Sequence, residues 1–292
     1  MISAADLEVD LDEQLVPWAT DTRVALADGA LVGYAYTNHM PSEVREERCY
    51  INGIVDPAWR GRGVGTALAG WATQRGAEQL LSSGRDLPRY LRAGAYDYQT
   101  DARDLYLDLG MRPVRYHDEL LRPLTPLPTI PLPTTDDRHD VHIVPWPDDR
   151  DDEIRTAKNN SFADHWGSTP TSPARWEQMT RGYGSRLDLS FIALDEEGAV
   201  VAHCLNKRFE ADDELLGRSD AWIDNLGTLR AWRGRGIASA LIARSLHAFA
   251  QAGCSHASIG VDSENPTGAA RLYRALGFEP RQRMITYERV IA

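Results

Sequence analysis

The sequence predicts an α/β (α+β) protein of two tandem domains, the first clipped at its N-terminus. Three observations carry that prediction. The hexapeptide Ala-Trp-Arg-Gly-Arg-Gly occurs at Ala58–Gly63 and again at Ala231–Gly236. Each copy is followed by Leu-Tyr-x-x-x-Gly-(Met/Phe), at Leu105-Tyr106 to Gly110-Met111 and at Leu272-Tyr273 to Gly277-Phe278. An ordered pair of motifs that recurs 167 to 173 residues later is a duplicated domain. Between the copies, prolines alternate from Pro123 to Pro133, which favours an extended linker. The predicted boundaries are residues 1–122, a linker over 123–140, and 141–292.

The elements follow in order. Arg23–Ala27 and Leu31–Thr37 flank Asp28-Gly29 and read as a hairpin. Only about twenty residues precede it, room for one short helix. Either the first domain has lost elements there or Met1 is an internal start. A helix runs from Thr66 to about Gln79 after the first hexapeptide. The second half is fuller. It has a strand at Val141–Pro145, helices near Asp149–Phe162 and Pro173–Arg181, and strands at Asp188–Leu194, Val200–Phe209 and Ala221–Leu229. Ala238, Ile242, Leu246 and Phe249 recur at spacings that keep them on one helix face. A strand at Ala257–Val261, a helix from Pro266 to Leu276 and a strand near Met284–Val290 complete it.

Composition narrows the function. The 292 residues are 42% apolar, enough for buried cores in two domains. A net charge of −11 argues against a nucleic-acid partner, which needs a basic footprint. Lys158 and Lys207 are the only lysines, a bias that points to a GC-rich genome. Cys49, Cys204 and Cys254 show neither a disulfide framework nor zinc spacing, and no histidine cluster suggests a metal. There is no signal-peptide layout and no apolar run of membrane-spanning length. The expectation is a cytoplasmic protein, monomer or homodimer, with no membrane partner.

The hexapeptide is a strand–turn–helix junction built for an anion. The first N–H groups of a helix lack intrahelical partners and together carry roughly half a positive charge. Glycines in the turn let an anionic group approach them. No Gly-x-x-x-x-Gly-Lys-(Ser/Thr) and no dinucleotide fingerprint is present. Arg233, Gly236 and Ala238, and likewise Arg60, Gly63 and Gly65, match Arg-x-x-Gly-x-(Gly/Ala), and on these residues the chain resembles the GNAT superfamily of N-acetyltransferases. Asn265–Phe278 is similar to that superfamily's later motif. The tandem layout resembles mycothiol synthase and related actinobacterial two-domain acetyltransferases.

The resemblance implies two GNAT-like domains, each a mixed, mostly antiparallel sheet flanked by helices. It implies acetyl transfer from acetyl-CoA to a primary amine of a small molecule, with catalysis in the C-terminal domain. A non-catalytic acyl-CoA sensor is the alternative from another class. Leu229, Arg233, Gly234, Arg235, Gly236, Ile237, Ala238, Ser239 and Asn265 would bind CoA, and Arg60, Gly61, Gly63 and Gly65 would offer a second turn. Tyr273 would be the general acid, since a phenol stays protonated at neutral pH; the same residue also fits a packing stripe with Leu272 and Leu276.

The base is expected on the strand before the junction. There Asp220, Trp222 and Asp224 share a face by alternation, unless a β-bulge intervenes. Asp224 is favoured, and a carboxylate that is only solvated or capping is the alternative. Aligning the hexapeptides places Ile51 opposite Asp224, and aligning the tyrosines places Asp101 opposite Gly268. The first half therefore keeps the turn and loses the base. For the acceptor, the loop that holds Asp164, His165 and Trp166 is the expected recognition segment. Asp164 could pair with an ammonium and Trp166 form a wall; the alternative is that Trp166 plugs the gap between the helices and His165 is solvated.

Overall fold

The computed structural model describes residues 17–42, 44–125, 127, 141–264 and 268–292. Its described residues divide into two compact units. The first covers residues 17–117 and takes in Gln282–Ala292 from the chain's end; the second is Asp118–Arg281.

In the first unit a single turn, α1 (Trp18–Asp21), leads into β1 (Thr22–Ala27) and β2 (Ala30–Met40). The hairpin is the expected one. Asp28 and Gly29 both take positive φ, 50° and 81°, as a tight turn between twisted strands requires. β3 (Glu47–Val55), α2 (Val64–Ser82), β4 (Arg89–Tyr96), α3 (Thr100–Asp108) and the start of β5 (Arg112–Pro123) follow. The sheet runs β1-β2-β3-β4 and is completed by β11 (Glu279–Ile291), antiparallel to β4. β3 and β4 are parallel. α2 lies close on this sheet because Gly76 has no side chain: a Cβ there would stand 2.5 Å from Leu91 Cδ1.

The second unit holds the latter part of β5, then β6 (Val141–Pro145), α4 (Asp151–Ser161), α5 (Pro173–Arg181), β7 (Phe191–Asp195) and β8 (Val200–Arg208). Next come the one-turn α6 (Asp213–Leu216), β9 (Asp220–Thr228), α7 (Ile237–Gln251), β10 (His256–Asp262) and α8 (Ala269–Ala275). Strand order is β6-β7-β8-β9-β10-β5, antiparallel from β6 to β9 and parallel between β9 and β10. α7 buries Leu241, Ile242, Leu246 and Phe249 without exposure, in the core formed with Ala221, Ile223, Ala257 and Ile259. Each such large apolar side chain contributes about 1.5–3 kcal/mol by leaving water. Residues 187–189 form a 3-10 turn, so β7 starts at Phe191 rather than at Asp188.

This division differs from the boundaries read in the sequence. β5 does not end the first unit and open a linker: Leu120 and Leu124 are buried in the second unit's core, and Leu124 N–H donates to Ser255 O at 2.8 Å. Conversely β11 brings Ile285 and Tyr287 into the first unit's core. The two repeats have exchanged their last strands. Apolar alternation in β5 and β11 shows that each is a strand, but partner choice depends on contacts far along the chain. The remainder of the proline-rich stretch lies outside the described residues.

Candidate functional site

The two hexapeptides fold alike. Gly234 and Gly236 take φ of 78° and 80°, and Gly61 and Gly63 take 69° and 83°. These are left-handed conformations that glycine adopts without strain. A Cβ at any of the four would meet nothing within 4 Å, so the turns face open space. The first helical bonds are Ala240 N–H to Gly236 O (3.1 Å) and Ala67 N–H to Gly63 O (3.0 Å). The N–H groups of Ile237, Ala238 and Ser239, and of Val64, Gly65 and Thr66, therefore precede the helical ladder. Arg235 lies over the Trp232 ring at 4.6 Å, as Arg62 lies over Trp59 at 4.8 Å. Leu229 closes its strand by donating to Val201 O at 2.9 Å.

The strands beside each turn also part alike. β10 pairs with β9 from His256/Asp220 to Ile259/Ile223 and no further. β4 pairs with β3 from Arg89/Glu47 to Arg92/Tyr50. A slot opens beyond each. Gly260, the residue after core-facing Ile259, has nothing within 4 Å of its Cβ position. Gly94, the residue after core-facing Ala93, is covered: Met284 Sδ stands 3.1 Å from its Cβ position.

The bulge is the main difference between the repeats. β8 pairs Leu205 with Asn225 and Asn206 with Ile223, so Asp224 is an extra residue outside the register. The simple alternation of Asp220, Trp222 and Asp224 thus breaks at Asp224. Asp220 is buried and bound to Ser258 (2.9 Å) and Arg218 (2.9 Å), a structural role. Asp224 lies at the surface, 3.4 Å from Lys207 Nζ. β3 pairs with β2 without interruption. Ile51 is buried on the α2 side, as Ile223 is on the α7 side. The gap-free alignment that set Ile51 opposite Asp224 is therefore out by one; β3 carries no counterpart of the Asp224 bulge.

Arg233 is tethered more firmly than Arg60. Both send Nε to the strand end, Arg233 to Thr228 O (3.2 Å) and Arg60 to Val55 O (3.3 Å). Arg233 also donates to both Asp164 oxygens, at 2.7 and 3.1 Å, and to Ser161 O at 2.8 Å. The bidentate bond to Arg233 holds the Asp164 carboxyl down at about 2. Asp164 is thus committed to Arg233 rather than left for an acceptor. His165 rests against Phe162 with ring centroids 4.5 Å apart, and Trp166 is 37% exposed rather than plugged between helices.

Sequence reasoning missed His203. It is fully buried, with Nε2 2.7 Å from Asn225 Oδ1 beside the bulge, and Nδ1 has no partner among the described residues. Burial lowers it to about 4, so it is neutral. Gly227 passes so close that a Cβ would stand 2.5 Å from His203 Cε1. Lys158 is buried nearby, over the Phe162 ring at 5.5 Å.

Tyr273 shows why the second motif recurs. Gly277 takes φ 83°, Gly277 N–H donates to Arg274 O (3.0 Å) and Phe278 N–H to Tyr273 O (3.0 Å), a Schellman stop. Phe278 then packs edge-on against Tyr273, centroids 6.3 Å apart. Gly110 and Met111 end α3 the same way on Leu107 and Tyr106. The motif is first a helix terminator. The Tyr273 hydroxyl has no protein hydrogen bond among the described residues, and burial, with the Cys204 thiol second, pushes its pKa well up. Tyr106 instead reaches Gly94 O at 3.5 Å. Asn265 lies outside the described residues. A cavity of about 560 Å³ opens by Asp149 and Glu177, at the first turn of α4, away from the last turn that Arg233 holds. Among the described residues no cluster suits a metal and no helix is long and apolar enough to cross a membrane.

The comparisons agree with this geometry. The model of the Acetyltransferase (GNAT) family matches residues 4–111 and 144–278. The chain is 30% identical over 275 residues to a mycothiol acetyltransferase of Salinispora arenicola, covering 91% of this chain and 80% of that one. It is 27% identical over 292 residues to one from Nocardia farcinica, covering 98% and 89%. A GCN5-related N-acetyltransferase from Sphaerobacter thermophilus superposes with TM-score 0.72 at 25% identity, over 99% of this chain and 86% of that one. A tandem GNAT protein from the clavulanic acid biosynthesis pathway shares the fold, TM-score 0.69 at 19% identity, over 99% and 90%. Two matched segments, two glycine turns and two splayed strand pairs make one conclusion: the chain belongs to the GNAT family of acetyltransferases.

Proposed function

We propose that the chain transfers an acetyl group from acetyl-CoA to a primary amine of a small molecule, and that the second unit alone does the chemistry. The observation that carries this is the Asp224 bulge beside an open strand slot and an open glycine turn. The first unit has a turn and a slot, but its β3 has no bulge at the matching place.

The residues fit a pyrophosphate-bearing thioester. The N–H groups of Ile237, Ala238 and Ser239 face the turn, with Arg235 beside them. The bound donor supplies an activated acetyl group. Asp224 accepts the proton of the incoming ammonium, directly or through water. A strand N–H released at the bulge can polarise the thioester carbonyl. Tyr273 donates its proton to the departing sulfur. Such proton transfers are worth about 10²–10⁴-fold in rate.

A thiol-release assay over a panel of amines tests the reading, with a cysteinyl pseudo-disaccharide among them because of the mycothiol acetyltransferase relatives. Gly236→Val forces a branched side chain onto positive φ and into the anion's approach; it abolishes transfer. Gly63→Val leaves most of it. The reverse pattern would reverse the roles of the units, and acetyl-CoA binding without turnover on any amine would favour the sensor reading. Tyr273→Phe lowers kcat by about 10- to 10³-fold with acetyl-CoA affinity nearly unchanged.

A further inference from the structure

Tyr273 sits on α8, which stops at Gly277 by its own backbone turn. One carbonyl at that stop, Leu276 O, has a different partner: Arg122 Nη1 donates to it at 2.6 Å. Arg122 Nε reaches Pro123 O at 3.3 Å. The guanidinium is buried, 4% exposed, and no carboxylate pairs with it among the described residues. A Cβ on Gly277 would stand 3.6 Å from its Cζ.

The first unit repeats the device. Arg289 Nη1 donates to Leu109 O at 3.0 Å, at the end of the helix that carries Tyr106. Arg122 and Arg289 are 167 residues apart, the same spacing as Tyr106 and Tyr273, so they are one position in two repeats. Yet each caps the other repeat's tyrosine helix, because β5 and β11 have exchanged units.

Burying a cation away from carboxylates is costly, and the glycine turn already ends the helix. What the arginine adds is a rigid planar fork at the negative end of α8, which fixes where the helix points. We infer that Arg122 is a positioning residue for acetyl transfer: it is the first repeat's contribution to the second unit's site, holding α8 so that the Tyr273 hydroxyl meets the leaving sulfur. This rests on the reading of Tyr273 as general acid. It also gives the first repeat a catalytic use that does not require it to bind a donor.

The test is steady-state kinetics on the full chain with acetyl-CoA and the best amine of the panel. Arg122→Ala lowers kcat about 10- to 100-fold and leaves the KM for acetyl-CoA within about threefold. Arg122→Lys recovers part of the loss. Arg289→Ala, the same change in the other repeat, leaves kcat within about twofold. Added to Tyr273→Phe, Arg122→Ala costs little more, because both act through one hydroxyl. Should Arg122→Ala fail to fold, Arg122→Gln keeps one donor without the fork and reads the same split. Equal losses from the Arg122 and Arg289 variants, or losses that multiply with Tyr273→Phe, would overturn the inference. A slow Tyr273→Phe beside a wild-type rate for Arg122→Ala would also overturn it. A wild-type rate for Tyr273→Phe overturns the tyrosine reading instead.

Discussion

His203 is a histidine that the fold requires neutral. Its pKa is about 4 folded against about 6.5 unfolded. Between those values the unfolded chain binds the extra proton, so stability falls as pH drops from about 6.5 to about 4. The full term is on the order of 3 kcal/mol for this wholly buried ring. His203→Gln therefore flattens the melting temperature between pH 7 and 4.5 relative to wild type. An unchanged slope would show that His203 is not the group responsible. Nothing in the sequence marks this residue, because its environment comes from Phe162 and Asn225 on other elements. The placement of Tyr273 on a helix was legible because its motif is local. Asp164 was legible as important but not for its partner, since Arg233 lies 69 residues away.

At the scale of elements, the last turn of α4 and the glycine turn before α7 are joined by the Arg233 fork. Asp164→Asn removes the charge and half of the bidentate bond. Because Asp164 is partly exposed, the expected loss is modest, about 2- to 5-fold in acetyl-CoA affinity by calorimetry. Arg60 lacks that carboxylate, so Arg60→Ala leaves this affinity unchanged. The Asp164 carboxyl, held near 2, keeps its charge at neutral pH; its stabilising contribution is full above about 4 and is lost as pH falls through about 2. Helices and hairpins were legible because periodicity and turn residues are local signals: α7 by its apolar face, the β1–β2 turn by Asp28-Gly29. The bulge was not. One extra residue in β9 is defined only by what β8 places opposite it.

For the whole molecule, the exchanged strands decide which part fails first. Gln282–Ala292 supplies Ile285 and Tyr287 to the first unit's core and Glu288 to the buried Arg92, at 2.8 Å. Ending the chain after Arg281 strips β4 of a neighbour and leaves Arg92 short of a carboxylate. Losing a buried ion-pair partner alone costs about 3–5 kcal/mol. The expected outcome is loss of amide protection across β3 and β4 in hydrogen exchange, with α7 and β9 still protected. Equal loss in both units would refute the separation. Duplication was plain in the sequence, but the exchange was not, since two copies of a similar strand suit either sheet.

The exchange also sets the order in which the molecule can be finished during synthesis. β4 ends at Tyr96, and its partner segment begins at Gln282, 186 residues later (282 minus 96). At about 5–20 residues per second that is roughly 10–40 s with one sheet edge bare. The second unit needs nothing past Arg281, so the later half of the gene product completes its sheet first. The earlier half waits for Gln282–Ala292, exposing a strand edge that other chains could pair with.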